Sequence, residues 1–126
     1  MHKFLISLLF ALILLLNVST RRALAQAEGE ELTVKGEIVD LSCYLPRGER
    51  GRGAAHQECA EMCAKGGLPL GVLDAGGQVL LLLEDHEKPA SYGDVKKLAG
   101  QQAEVSGKKI TRGGLSGIVV SAVKKP

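Results

Sequence analysis

Three glycine pairs, Gly66-Gly67, Gly76-Gly77 and Gly113-Gly114, cut this chain into short segments and so restrict its fold. Glycine takes up left-handed backbone without a Cβ penalty, which makes such pairs natural turns and helix ends. Leu68 to Leu73 and Gln78 to Glu84 are apolar runs on either side of Asp74-Ala75-Gly76-Gly77. That arrangement predicts a hairpin. Leu80 to Leu83 is an unbroken leucine run, which predicts a strand buried on both faces or covered by another element. Ala103 and Val105 alternate with Gln102, Glu104 and Ser106, and Leu115 to Val123 follows the Gly113-Gly114 turn. Both read as strands.

The first strand begins near residue 31. Leu32, Val34 and Ile38 alternate with Thr33, Lys35 and Glu37, the period of a half-buried strand. The parity slips at Ile38-Val39, after which Val39, Leu41 and Cys43 share one side; a β-bulge would do this, adding bend and twist. Cys43 is thus expected to end the strand, pointing inward. Pro46 to Gly53 reads as a loop, and its three arginines fit either an anion-binding loop or a solvated connection. Ala54 to Lys65 reads as a helix stopped by Gly66-Gly67. A second helix is expected near 92–99, with Ser91 and Asp94 at capping-box spacing and Tyr92, Val95 and Leu98 on one face.

The order is strand, helix, strand, strand, helix, strand, strand. Five short strands with a helix before the fourth match the plan of the oligonucleotide/oligosaccharide-binding (OB) barrel. The fold class is therefore all-β with two short helices, a small five-stranded OB-like barrel. Lys97-Leu-Ala-Gly-Gln-Gln-Ala-Glu-Val-Ser-Gly-Lys108, followed by Gly117-Ile-Val-Val-Ser-Ala-Val123, resembles the last two strands of small exported bacterial OB-like domains of uncharacterised function. The resemblance covers about residues 31–125 and implies a fold, not an activity. The departure from the plain barrel is a Cys/His-bearing helical insertion over residues 43–66.

The N-terminus reads as a secretory signal. Lys3 is followed by Phe4 to Leu16, apolar except for Ser7. This is short for a membrane span, which needs ~20 apolar residues, and right for a signal core. Cleavage after Ala25, or alternatively after Ala27, leaves a polar lead-in over 26–30 and a barrel domain over 31–126. Arg21 and Arg22 lie between core and cut, as they would also in an uncleaved anchor. A membrane contact is expected only through such an uncleaved leader. The expected location is periplasmic or extracellular.

The chain carries 16 basic and 14 acidic residues, but Lys3, Arg21 and Arg22 belong to the leader, leaving 13 against 14. The electrostatic case for nucleic-acid binding disappears with the leader. Only Tyr44 and Tyr92 remain as aromatics, too few for base stacking. About 100 mature residues make one small domain.

The chemistry lies in Cys43-x12-His56-x2-Cys59-x3-Cys63. With ~100° per helical residue, Cys59 and Cys63 fall roughly 60° and 20° from His56. Ala60 shares that face, whereas Glu58, Glu61 and Lys65 lie opposite. Three cysteines with one histidine make a known zinc ligand set, and thiolates with imidazole also suit other thiophilic metals, including copper(I). The first reading is therefore an exported metal-binding module, structural or metal-handling, with Cys43, His56, Cys59 and Cys63 as ligands and zinc or another thiophilic ion as cofactor. Its expected partner is an envelope protein or a metal donor.

The second reading is a disulfide-stapled binding domain of the cell envelope with one free thiol. Exported cysteines tend to pair, and Cys43 with Cys59 or with Cys63 would tie helix to barrel. A third is a thiol enzyme or redox relay, although Cys59 and Cys63 do not sit at a helix start. His86, in Asp85-His86-Glu87, is expected in a solvated turn, Met62 in packing, and Tyr44 as a cover for the site. No haem-attachment signature, hydrolase triad, phosphate loop or His-Glu-x2-His motif occurs, so no catalytic machinery is expected.

Overall fold

The computed structural model describes residues 29–126. The leader and its cleavage sites at residues 25 and 27 lie outside the described residues. Among those described, no helix is long and apolar enough to cross a membrane.

Five strands close into a barrel in the order β1-β2-β3-β5-β4. They are β1 (Glu30–Asp40), β2 (Leu70–Asp74), β3 (Val79–Leu83), β4 (Gln102–Arg112) and β5 (Leu115–Lys124). β1 with β2, β2 with β3 and β4 with β5 pair antiparallel, whereas β3 and β5 run parallel. The closing seam is marked by Gly100 N donating to Ile38 O at 2.7 Å and Ile38 N donating to Gln101 O at 2.9 Å. The expected OB-like barrel is thus present. Its β4–β5 hairpin turns on Gly113 and Gly114 at φ of 60° and 80°. A two-residue turn with both φ positive matches the twist of the strands it joins.

Three short helices decorate the barrel: α1 (Leu41–Arg47), α2 (Gln57–Lys65) and α3 (Pro89–Lys97). Two were expected from the sequence, and α1 is the addition. Short 3-10 turns at Gly48–Gly51 and Ala54–His56 connect α1 to α2. The region expected to be a loop from Pro46 is therefore partly helical. α3 also starts differently: Pro89 occupies its first turn, Lys88 precedes it, and no side chain caps it. Ser91 instead donates to the Ser121 carbonyl at 2.9 Å, tying α3 to β5.

The interior is apolar. Ile38, Leu70, Val72, Leu80, Leu82, Val105, Ile118 and Val120 meet inside the strands, and Val95 and Ala99 join the same cluster. Burying one such large side chain contributes about 1.5–3 kcal/mol. α2 adds only Ala60 and Ala64, small residues that let its backbone lie close.

A second apolar cluster lies on the opposite face of the β1–β2–β3 wall, where Val39, Leu41 and Leu73 pack with Tyr44, Val79 and Leu81. It explains two sequence features. The slip at Ile38-Val39 is not a bulge in the β1–β2 ladder, whose register is unbroken from Gly36 to Asp40. The strand is instead buried on both faces there, because α1 covers the outer one. A register shift lies elsewhere, between Ser106 and Gly107 in the β4–β5 ladder. The leucine run splits likewise, with Leu80 and Leu82 inward and Leu81 in the outer cluster.

The arginine-rich connection is held by a buried carboxylate. Glu37, on β1, is 3% exposed. It accepts from Gly53 N at 2.6 Å and from Arg52 Nε at 3.1 Å. Arg52 also reaches Glu49 at 3.3 Å. Arg52 therefore pins the connection to the barrel.

Candidate metal centre

The site is built where β1 hands over to α1. Asp40 ends the strand in extended backbone, and its Oδ1 accepts from Ser42 N at 2.9 Å. This is an N-cap, which satisfies one of the unpaired amides of a helix start. α1 can therefore begin immediately, and Cys43 falls in its first turn. Cys43 is buried but does not end the strand as expected; it lies one helical turn beyond Asp40, on the side that residues three apart share.

The second wall comes from α2. Cys59 and Cys63, one turn apart, are half-buried on either side of Ala60. His56 sits at the point where the preceding 3-10 turn passes into α2, and it is buried. The connection wraps back tightly between the two helices: a Cβ on Gly51 would stand 2.5 Å from the Cys43 carbonyl oxygen. Only glycine allows the two backbones to lie that close.

The three sulfurs gather, with Cys43, Cys59 and Cys63 Sγ all within 4.8 Å of one another. The three cysteines are free, and none is joined in a disulfide. His56 enters through a second group: one of its ring nitrogens, a carboxylate oxygen of Asp40 and Cys43 Sγ also lie within 4.8 Å of one another. Cys43 is common to both groups. His56 falls in the group with Asp40, not in the group with Cys59 and Cys63.

Asp40 is the site residue that sequence reasoning missed. The alternating pattern assigned it to the outside of a strand continuing to Cys43. Its signal was an aspartate two residues before Ser42, the spacing of a helix cap. Asp40 is 0% exposed. Its Oδ2 and His56 Nε2 are enclosed without a hydrogen-bond partner. His86 is exposed and outside the site, as expected. Met62, expected to pack, is 62% exposed. Tyr44 packs against the outer cluster.

The electrostatics follow from Asp40. Burial opposes its charge, but the thiols of Cys63 and Cys43 alongside it and the hydrogen bond from Ser42 outweigh that and hold the carboxyl below its ordinary value. The thiols respond in the opposite sense. The adjacent Asp40 carboxylate, together with burial, pushes Cys43 up. The same causes, joined by Cys59, push Cys63 up to about 12. Without a cation, then, the pocket is a carboxylate facing protonated thiols. A reactive thiolate needs the reverse setting, which weighs against the thiol-enzyme reading. A bound cation would invert the order, since a coordinating thiol loses its proton outright.

The three-cysteine cluster and the Asp/Cys/His group thus form a donor set that can hold a metal ion. Comparison with protein-family models, curated proteins and solved structures returns no match for this chain.

Proposed function

We propose that this protein is an exported metal-binding module. Cys43, Cys59 and Cys63 bind zinc or another thiophilic ion, with His56 as a further donor beside Cys43. The observation that carries the reading is the convergence of three free sulfurs, from two separate helices, within 4.8 Å. A disulfide staple needs two sulfurs and gives no reason for a third, nor for a buried imidazole beside them.

The main apolar core contains none of the three cysteines. This favours metal handling over a purely structural ion, because the barrel has its core without one. Half-buried Cys59 and Cys63 leave an edge through which an ion can pass to a partner, an envelope protein or a metal donor. The N-terminal leader motivates the periplasmic or extracellular assignment.

The test is metal content of the purified protein by mass spectrometry, beside a free-thiol count, for the parent and for His56→Ala. Metal binding predicts an ion in the parent and reduced occupancy and holo-stability in the variant. A metal-free parent with one cross-link and one free thiol, unchanged in the variant, would establish the disulfide reading instead.

A further inference from the structure

We propose that the pocket takes two divalent, thiophilic cations that share the Cys43 thiolate, one bound with Cys59 and Cys63 and the other with Asp40 and His56. The proposal rests on the metal-binding reading above. It adds the number of ions, their charge and a role for Asp40.

The first argument is the donor count. A closed zinc site uses four ligands at bonds of about 2.0–2.3 Å. Five residues offer donors here, and they divide into two triads that overlap only at Cys43. Donors to one ion lie at most about 4.6 Å apart, twice the bond length. Each triad gathers its atoms within 4.8 Å of one another, close to that limit, so that a small inward shift of the side chains would bring them to bonding distance. A thiolate sulfur has lone pairs enough to bind two ions at once.

The second argument is satisfaction. Among the described residues, Asp40 Oδ2 and His56 Nε2 are the two enclosed side-chain polar atoms without a hydrogen-bond partner. Both are carried by residues of the triad that lacks Cys59 and Cys63. Buried polar atoms are rarely left unpaired, and an ion is one of the recognised reasons. An ion in the sulfur triad alone would leave this pair as it is.

The third argument is charge. In metal-bound form, three thiolates and one carboxylate carry four negative charges, and a neutral imidazole adds none. One divalent ion would leave two of them uncompensated in a pocket whose Asp40 is 0% exposed. Two divalent ions bring the sum to zero, and buried charge is costly unless it is compensated. Arg47, which acts on Cys43 from a distance, is exposed. Two copper(I) ions would not complete the balance. Oxygen and imidazole donors in the second triad also suit zinc better than copper(I).

The experiment is a titration of the purified protein, reduced and stripped of metal, with zinc and separately with cobalt(II). Ion number is read by native mass spectrometry, thiolate ligation by the sulfur-to-cobalt absorption, and the shared sulfur by loss of paramagnetic resonance intensity as the second cobalt couples to the first. The parent should take two ions. Asp40→Asn should take one and keep the sulfur-to-cobalt absorption, because asparagine retains the oxygen that caps α1. His56→Ala should also take one, without touching that cap. A parent that saturates at one ion, or variants that still take two, would overturn the two-ion site and leave the single-ion reading standing. A parent that binds neither metal overturns both.

Discussion

Glu37 and Asp40 stand three residues apart on β1, both buried, yet they are opposite kinds of carboxylate. Glu37 has its partners: the Gly53 amide and the Arg52 guanidinium occupy its two oxygens. Asp40 caps α1 with one oxygen and keeps the other enclosed and unpartnered beside two thiols and an imidazole. The first is a finished structural contact that fixes the connection between α1 and α2. The second is an anion with one oxygen that no side chain or amide among the described residues satisfies, the arrangement expected of a ligand site. Burial of a carboxylate therefore says little by itself. What separates structure from function here is whether the chain supplies the counter-charge.

Three measurements put that contrast at risk. The largest effect is expected for Glu37→Gln. It removes a charge-assisted hydrogen bond and the partner of Arg52, and should cost about 1.5–3 kcal/mol in urea unfolding. Arg52 is part-exposed and can turn to water, which keeps the loss below that of a fully buried pair. A smaller effect is expected for Asp40→Asn in the metal-free protein, under about 1 kcal/mol, because asparagine caps as well as aspartate does. Its effect should appear instead as loss of the extra stability that metal gives the parent. A metal-free Asp40→Asn as damaged as Glu37→Gln would make Asp40 a structural residue and remove the contrast.

The smallest effect concerns pH in the metal-free protein. Asp40 has a lowered folded pKa, so its contribution is present above the ordinary value of 3.8 and is lost as pH falls through the folded value. Cys43 and Cys63 are raised, so theirs is complete below the ordinary thiol value of 9.0 and declines as pH rises beyond it, towards about 12 for Cys63. Urea midpoints should therefore fall as pH rises above the ordinary thiol value of 9.0 without metal. With metal bound the thiols are already deprotonated, and this alkaline decline should flatten. An equal decline with and without metal would show that these thiols are not ligands.

The barrel was legible in the sequence because its signals are local. Alternation in Leu32 to Ile38 and in Ala103 to Val105, and the glycines at Gly76-Gly77 and Gly113-Gly114, depend on neighbours a few residues away. The pairing of Cys59 and Cys63 one turn apart on α2 was legible for the same reason, whereas His56, expected on the same helix, falls in the 3-10 turn before it. Which strand positions are covered from outside is a different matter, settled by the folded chain. Val39, Leu41, Leu73 and Leu81 form a second cluster because α1 folds back over the wall, and no period in the sequence records that return. The fate of Asp40 depended on the same event. In the continuing strand that the alternation implied, it would face solvent. With the strand broken at its own side-chain cap, it turns inward with Cys43, and α2, brought back by the Gly51 and Gly53 contacts, closes the pocket around it. Residue types near one another in sequence set the donors; which carboxylate joins them was fixed by how the chain returned on itself.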